Sequence, residues 1–236
     1  MKQLELYDRN FDFLALQKDG PRRPLRIAIQ SRGEMSTGAI DYFSSLGWDM
    51  RCLDAETRVL AAEVKSKVTV FKLRQPEIVS ALKNGAIDMT ILGADVIWED
   101  RLSDPSTPLV PVQNLGFGSC TFRLGFPLDL NVDIPMTWDA IRTTLRDCTI
   151  ATSLPNIFLK IMEENEIPIN KERLITMDGS LEVATNLYGA RAIADRVSTG
   201  NTMFANGLRP EFTLAYFPGA FLAARQGFLN TVKYGM

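Results

Sequence analysis

LRIAIQSRGEMSTGAIDYFSSLG, residues 25–47, changes its hydrophobic period part-way along. Leu25 to Gln30 is a short apolar run that reads as a strand, SRGEMS is a glycine-bearing loop, and TGAIDYFSSLG has helical spacing up to Gly47. The stretch is a β-loop-α unit. KVTVFKL reads as the next strand. In QPEIVSALKNG, Ile78, Val79 and Leu82 share a helical face and Gly85 caps the end, and AIDMTILG is a buried strand. Repeated β-α-β units predict a largely parallel sheet covered by helices.

From PLVPVQNLGFGSCTFRLGFP the character changes. Glycines interrupt two β-rich pieces, and Pro127 and Pro135 bound a loop before the helix TWDAIRTTLRD. We place a domain crossing here. A second series follows: strand CTIATS, helix NIFLKIMEENEI opened by Pro155 and Asn156, strand RLITMDG, helix SLEVATNLYGA and strand AIADRVS. The tail RPEFTLAYFPGAFLAARQGFLNTV returns a strand and helix to the first domain. The expected division is 1–116 plus 210–236 for the first lobe and 117–209 for the second.

Composition narrows the chemistry. The 236 residues are 46% hydrophobic and 23% charged with net charge −2, enough for a sizeable core and without long-range attraction to nucleic acid or an anionic membrane. Cys52, Cys120 and Cys148 form no C-x-x-C pair, which argues against a zinc ribbon or a disulfide framework. The sequence contains no histidine, so Ser-His and Cys-His nucleophilic machinery is excluded. No leader-like apolar run opens the chain, and no segment approaches the length of a membrane span; we expect a cytoplasmic protein.

The segment DRVSTGNT, residues 195–202, follows the strand AIADRVS, and the carboxyl ends of strands are where open α/β sheets bind ligands. Gly200 permits close backbone approach, and the Ser198, Thr199 and Thr202 hydroxyls with consecutive N–H groups suit phosphate oxygens. Asp195 suits ribose hydroxyls or a magnesium ion. A plain polar turn is the competing reading.

Taken together, RIAIQ, GAIDMTILGADVIWED, LGFGSC, IATSLPN and GSLEV followed by ADRVSTGNTMFANGL resemble the catalytic chain of the ATP phosphoribosyltransferase family, over about Leu25 to Leu208. The resemblance implies a two-lobed α/β fold of the type II periplasmic-binding-protein kind, with a cleft between the lobes. It implies that N1 of the adenine of ATP attacks C1 of phosphoribosyl pyrophosphate, with Mg2+ accompanying the pyrophosphate that leaves, as the first step of histidine biosynthesis. It places Ser198, Thr199, Gly200, Asn201 and Thr202 on the 5-phosphate of the donor, Asp195 on its ribose and metal, and Glu182 beside the ribose. Arg58 matches an arginine near the leaving pyrophosphate; a surface arginine is its bland alternative. For the acceptor we assign Arg74, retained in RQPEIV, together with Thr152, Ser153 and Asn156 at a strand-to-helix junction, where a helix N-terminus binds anions and capping offers an equal account.

The sequence also departs from the family. Ser31 stands at the usual lysine and Glu34 at the usual arginine after the first strand, with Arg32 as the neighbouring cation expected to act in catalysis. Gln75 and Pro76 replace acidic or apolar residues, Tyr188 a glycine and Arg191 an aspartate. Three readings stay open at this stage: a transferase acting on ATP or on another nitrogen nucleophile, a noncatalytic relative that senses a phosphorylated ligand, and a two-lobe solute-binding protein. The early end of the chain after TLAYFPGAFLAARQG resembles the family's short form, which implies a homodimer and a separate subunit resembling histidyl-tRNA synthetase. Leu4, Leu6, Phe11, Phe13, Leu14 and Leu16 form a candidate docking element for it, or fold back on their own lobe.

Overall fold

The structure is a computed structural model; it describes residues 24–54, 57–130, 136–198 and 200–233, so the candidate docking element lies outside the described residues. The chain divides into two compact units, one built on residues up to Gly118 with Pro218 onward, the other on Ser119–Phe217.

In the first unit, β1 (Leu25–Gln30) leads through a glycine-bearing turn into α1 (Glu34–Ser45). Ala39 and Phe43 of α1 are fully buried against Ile27 and Ile29 of β1, which is why the helical period begins there. Gly38 sits where any Cβ would overlap the Phe117 ring, so this glycine is required for close packing on the helix. The chain continues through β2 (Ala61–Lys65), β3 (Val68–Leu73), α2 (Gln75–Lys83), β4 (Met89–Gly93), α3 (Ala94–Ser103) and β5 (Leu109–Asn114). It is completed from the far end of the sequence by β11 (Ala220–Arg225) and α8 (Gln226–Lys233). The sheet order is β2-β3-β1-β4-β11-β5. β1 is parallel to β3 and β4, whereas β2 and β11 run antiparallel to their neighbours. The sheet is therefore mixed around a parallel centre, because β2 hairpins onto β3 and the returning β11 enters between β4 and β5.

The second unit holds β6 (Cys120–Pro127), α4 (Trp138–Thr144), β7 (Ile150–Thr152), α5 (Pro155–Glu164), β8 (Leu174–Thr176), α6 (Ala184–Tyr188), β9 (Ala192–Val197), α7 (Asn201–Ala205) and β10 (Leu208–Phe217). Its sheet order is β10-β6-β9-β7-β8, with β7, β8 and β9 parallel and β6 antiparallel to both of its neighbours. The division falls at Gly118/Ser119 and Phe217/Pro218, against the expected 116/117 and 209/210. The return comes later because residues 208–217 pair along β6 and are held in the second sheet.

Candidate functional site

The three parallel strands of the second sheet end at Thr152, Thr176 and Val197, so the loops that follow them leave from one end of the sheet. Ser153 Oγ donates a hydrogen bond of 2.8 Å to Asp195 Oδ1. The Arg196 backbone N–H donates to the same carboxylate. Burial pushes the Asp195 carboxyl above the usual carboxylate range; these two bonds and the Arg196 charge pull it back, and the nearby Glu182 carboxylate raises it further. Asp195 and Glu182 thus share one electrostatic environment, and Ser153, expected on the acceptor side, bonds to Asp195.

Glu182 is placed by a tight reversal. Gly179 at φ 88° and Ser180 at φ 51° lead into a single 3-10 turn, Leu181–Val183, and Leu181 anchors that turn in the core. On the next loop, Gly200 is left-handed at φ 83° and precedes α7. A Cβ at Gly200 would lie 3.4 Å from Pro210 Cγ and 3.6 Å from the Phe204 ring, so a β-branched residue would be strained by backbone and neighbours together. Ser198, Asn201 and Thr202 are exposed around this glycine, and Thr199 lies outside the described residues.

Thr152 and Asn156 occupy the β7–α5 corner. Thr152 is fully buried and its Oγ1 accepts from the Leu154 N–H at 3.1 Å, which helps to shape the corner. Asn156 is half-buried in the first turn of α5. Tyr188 and Arg191 are exposed on either side of Gly189, ahead of β9.

The remaining predicted residues belong to the first unit. β1 and β3 run parallel with Gln30 opposite Leu73, and the Ser31 N–H donates to Leu73 O at 2.8 Å. Their carboxyl ends therefore finish side by side. Gln30, Ser31, Arg32, Leu73, Arg74 and Gln75 line a pocket of about 300 Å³ there. Arg32 and Arg74, predicted separately, are thus brought together, and both are exposed. Glu34 is the exposed first residue of α1, where its charge complements the helix dipole. Arg58 is exposed in the segment before β2 and is not among the residues lining the Arg32–Arg74 pocket.

Among the described residues no group of three or more acidic or cysteine side chains converges as a metal cage. Asp195, with Glu182 near it, fits Mg2+ in the manner of an ion that keeps several waters and is held by one or two carboxylates plus substrate phosphates. No helix among the described residues is long and apolar enough to cross a membrane.

The fold is similar to that of several solved proteins. The ATP phosphoribosyl transferase (HisG:HisZ) complex from Thermotoga maritima matches with TM-score 0.64 at 20% identity, over 89% of this chain and 92% of that one. The BvgS VFT2 domain of Bordetella pertussis matches with TM-score 0.57 at 13% identity, over 96% and 91%. The periplasmic aliphatic sulphonate binding protein SsuA from Escherichia coli matches with TM-score 0.56 at 15% identity, over 91% and 68%. These likenesses make the fold the two-lobed α/β fold of periplasmic binding proteins. Residues 74–231 match the profile of the family HisG: ATP phosphoribosyltransferase, a span that takes in the pocket arginine Arg74 and every strand-end residue of the second sheet. The chain belongs to the ATP phosphoribosyltransferase (HisG) family.

Proposed function

We propose that this chain transfers the phosphoribosyl group of phosphoribosyl pyrophosphate to N1 of the adenine of ATP. The observation that carries the reading is the Ser153–Asp195 hydrogen bond beside the Gly200 turn, at the carboxyl ends of parallel strands. Adenine N1 forms a bond to C1 of the ribose as the bond from C1 to the pyrophosphate oxygen breaks. Pyrophosphate leaves with the electron pair, and a proton lost from the adenine to solvent restores neutrality on the ring. The transition state has oxocarbenium character, so positioning two anionic substrates and neutralising the departing charge supply most of the catalysis. That chemistry needs no histidine, in keeping with the composition.

Asp195 holds the ribose hydroxyls and Glu182 supports it. The backbone N–H groups and hydroxyls of the 198–202 turn take the 5-phosphate, with Gly200 allowing the close approach. Arg32 and Arg74 receive the polyphosphate of the acceptor, and Arg58 acts on the departing pyrophosphate; Ser153 and Asn156 belong with the donor and acceptor groups respectively. When bound, Mg2+ held by Asp195 supplies neutralisation of pyrophosphate charge. We further propose a homodimer and, because the Thermotoga protein was solved as a HisG:HisZ complex, a HisZ-like regulatory partner through which histidine acts. Glu34 beside Arg32 favours a second reading, a noncatalytic relative that binds the phosphorylated donor alone.

Donor binding requires an ionised Asp195. A carboxyl raised in the folded chain favours its protonated form: the stability it contributes is complete below the usual carboxylate pKa and is lost as pH rises through the raised value. Donor affinity runs the other way, falling as pH drops through that raised value. Ser153→Ala removes a bond that lowers it, so the acidic limb of donor affinity moves to higher pH. Calorimetric titration with phosphoribosyl pyrophosphate and Mg2+ across the pH range checks both statements. A limb at ordinary carboxylate pH, unmoved by Ser153→Ala, removes Asp195 from the donor site; saturable donor binding with no response to ATP selects the noncatalytic reading.

A further inference from the structure

Arg123 lies on β6 directly opposite Asp195 on β9. Paired residues of an antiparallel ladder project to the same face with Cα atoms roughly 4.5–5.5 Å apart. That face is the one covered by the donor loops. Ile193 and Val197, flanking Asp195 at period two, pack with Leu181 and Ala184, from the segment carrying Glu182, and with Met203 of α7. Gly125, two residues after Arg123, faces the same way, because a Cβ there would meet Met203 Sδ at 3.0 Å and Ile193 Cγ1 at 3.3 Å.

An arginine opposite an aspartate ordinarily forms an ion pair with it. Here the Asp195 carboxylate is engaged by Ser153 Oγ and the Arg196 N–H instead. Arg123 Nε is buried and has no hydrogen-bond partner among the described residues. A half-buried arginine whose Nε is left unpaired, on the same strand face as Asp195, is a cation poised for a ligand's anion, because burying an unpaired donor is costly until something accepts from it.

We infer that Arg123 is an anion-recognising residue of the donor site, taking a phosphoryl oxygen of the bound donor with its guanidinium fork. This rests on the donor-site reading above and adds a residue outside the strand-end loops. It explains how a site whose own carboxylates repel a polyanion attracts one. It also makes arginine, and not merely positive charge, the requirement, since only the fork can bond two oxygens in one plane.

The test is titration of Mg2+-phosphoribosyl pyrophosphate and of ribose 5-phosphate into the wild-type chain, Arg123→Gln and Arg123→Lys, at two salt concentrations, with the folding of each variant followed by circular dichroism and thermal melting. We expect Arg123→Gln to bind both ligands about ten- to a hundredfold more weakly, with a shallower salt dependence, and Arg123→Lys to lose less while keeping the salt dependence. If Arg123→Gln does not fold, a severalfold loss in folded Arg123→Lys carries the same conclusion. A folded variant with wild-type affinity and salt dependence, or one that melts earlier yet binds as well, overturns the role of Arg123. A wild-type chain that binds neither ligand overturns the donor-site reading, and the inference with it.

Discussion

Asp195→Asn is expected to lower kcat/KM for phosphoribosyl transfer by about 10²–10³, equivalent to about 2.7–4 kcal/mol, the loss typical when one preorganised electrostatic group is removed from the reacting centre. The substitution keeps the shape of the side chain, and Ser153 Oγ can donate to the amide oxygen as it does to the carboxylate. It also removes a carboxylate whose ionisation burial opposes, so stability at neutral pH should hold or rise while activity collapses. Steady-state kinetics together with thermal melting measure both sides. Activity within threefold of wild type in a folded protein would mean that Asp195 is a structural residue.

The largest stability effect should come from Phe43→Ala. Phe43 is fully buried on α1, its ring stacked on Trp48 at a centroid distance of 4.7 Å with 5° between planes and in edge contact with Tyr42 at 5.3 Å. It packs in the cluster that holds Ile27, Ile29, Leu53 and Val70, where β1, β3 and α1 meet. Truncation removes the aromatic burial and leaves a cavity that close-packed neighbours fill only in part, costing about 3–5 kcal/mol. Urea unfolding followed by the fluorescence of Trp48, Trp98 and Trp138 together reads that loss. A change below about 1 kcal/mol would show that the first unit does not depend on this cluster.

The hydrophobic periods made much of the fold legible. β1 spans the residues expected of it, and the α1, α2 and α5 periods placed their helices to within a few residues, because each buries a face on its own sheet. β2 was hidden: AAEVK is mostly exposed at an edge, and its turn onto β3 uses Lys67 at φ 62° with neither glycine nor asparagine to announce it. SLEVATNLYGA has helical spacing but forms a 3-10 turn followed by a short helix, since the left-handed Gly179 and Ser180 delay its start and Gly189 ends it. The antiparallel entry of β11 depends on pairing across more than a hundred residues, which no local pattern records.

The elements of the candidate site were legible in part. Asp195 and Gly200 stood out through their turn chemistry, Glu182 through the resemblance alone, and Arg32 and Arg74 as separate cations without their shared pocket. The Ser153–Asp195 bond joins residues 42 positions apart, so the strand-to-helix junction that suggested Ser153 as an acceptor residue carried no sign of it. Arg123 went unnoticed because FRLGF reads as strand core, and its significance lies wholly in its register with β9.

The most direct test of the proposed activity mixes the purified chain with ATP, phosphoribosyl pyrophosphate and Mg2+, with and without a HisZ-like subunit, and follows the nucleotide by mass spectrometry alongside released pyrophosphate. The proposed reaction yields phosphoribosyl-ATP and pyrophosphate in equal amounts, in the chain alone or on addition of the partner. Saturable donor binding with neither product formed, in both preparations, would contradict it.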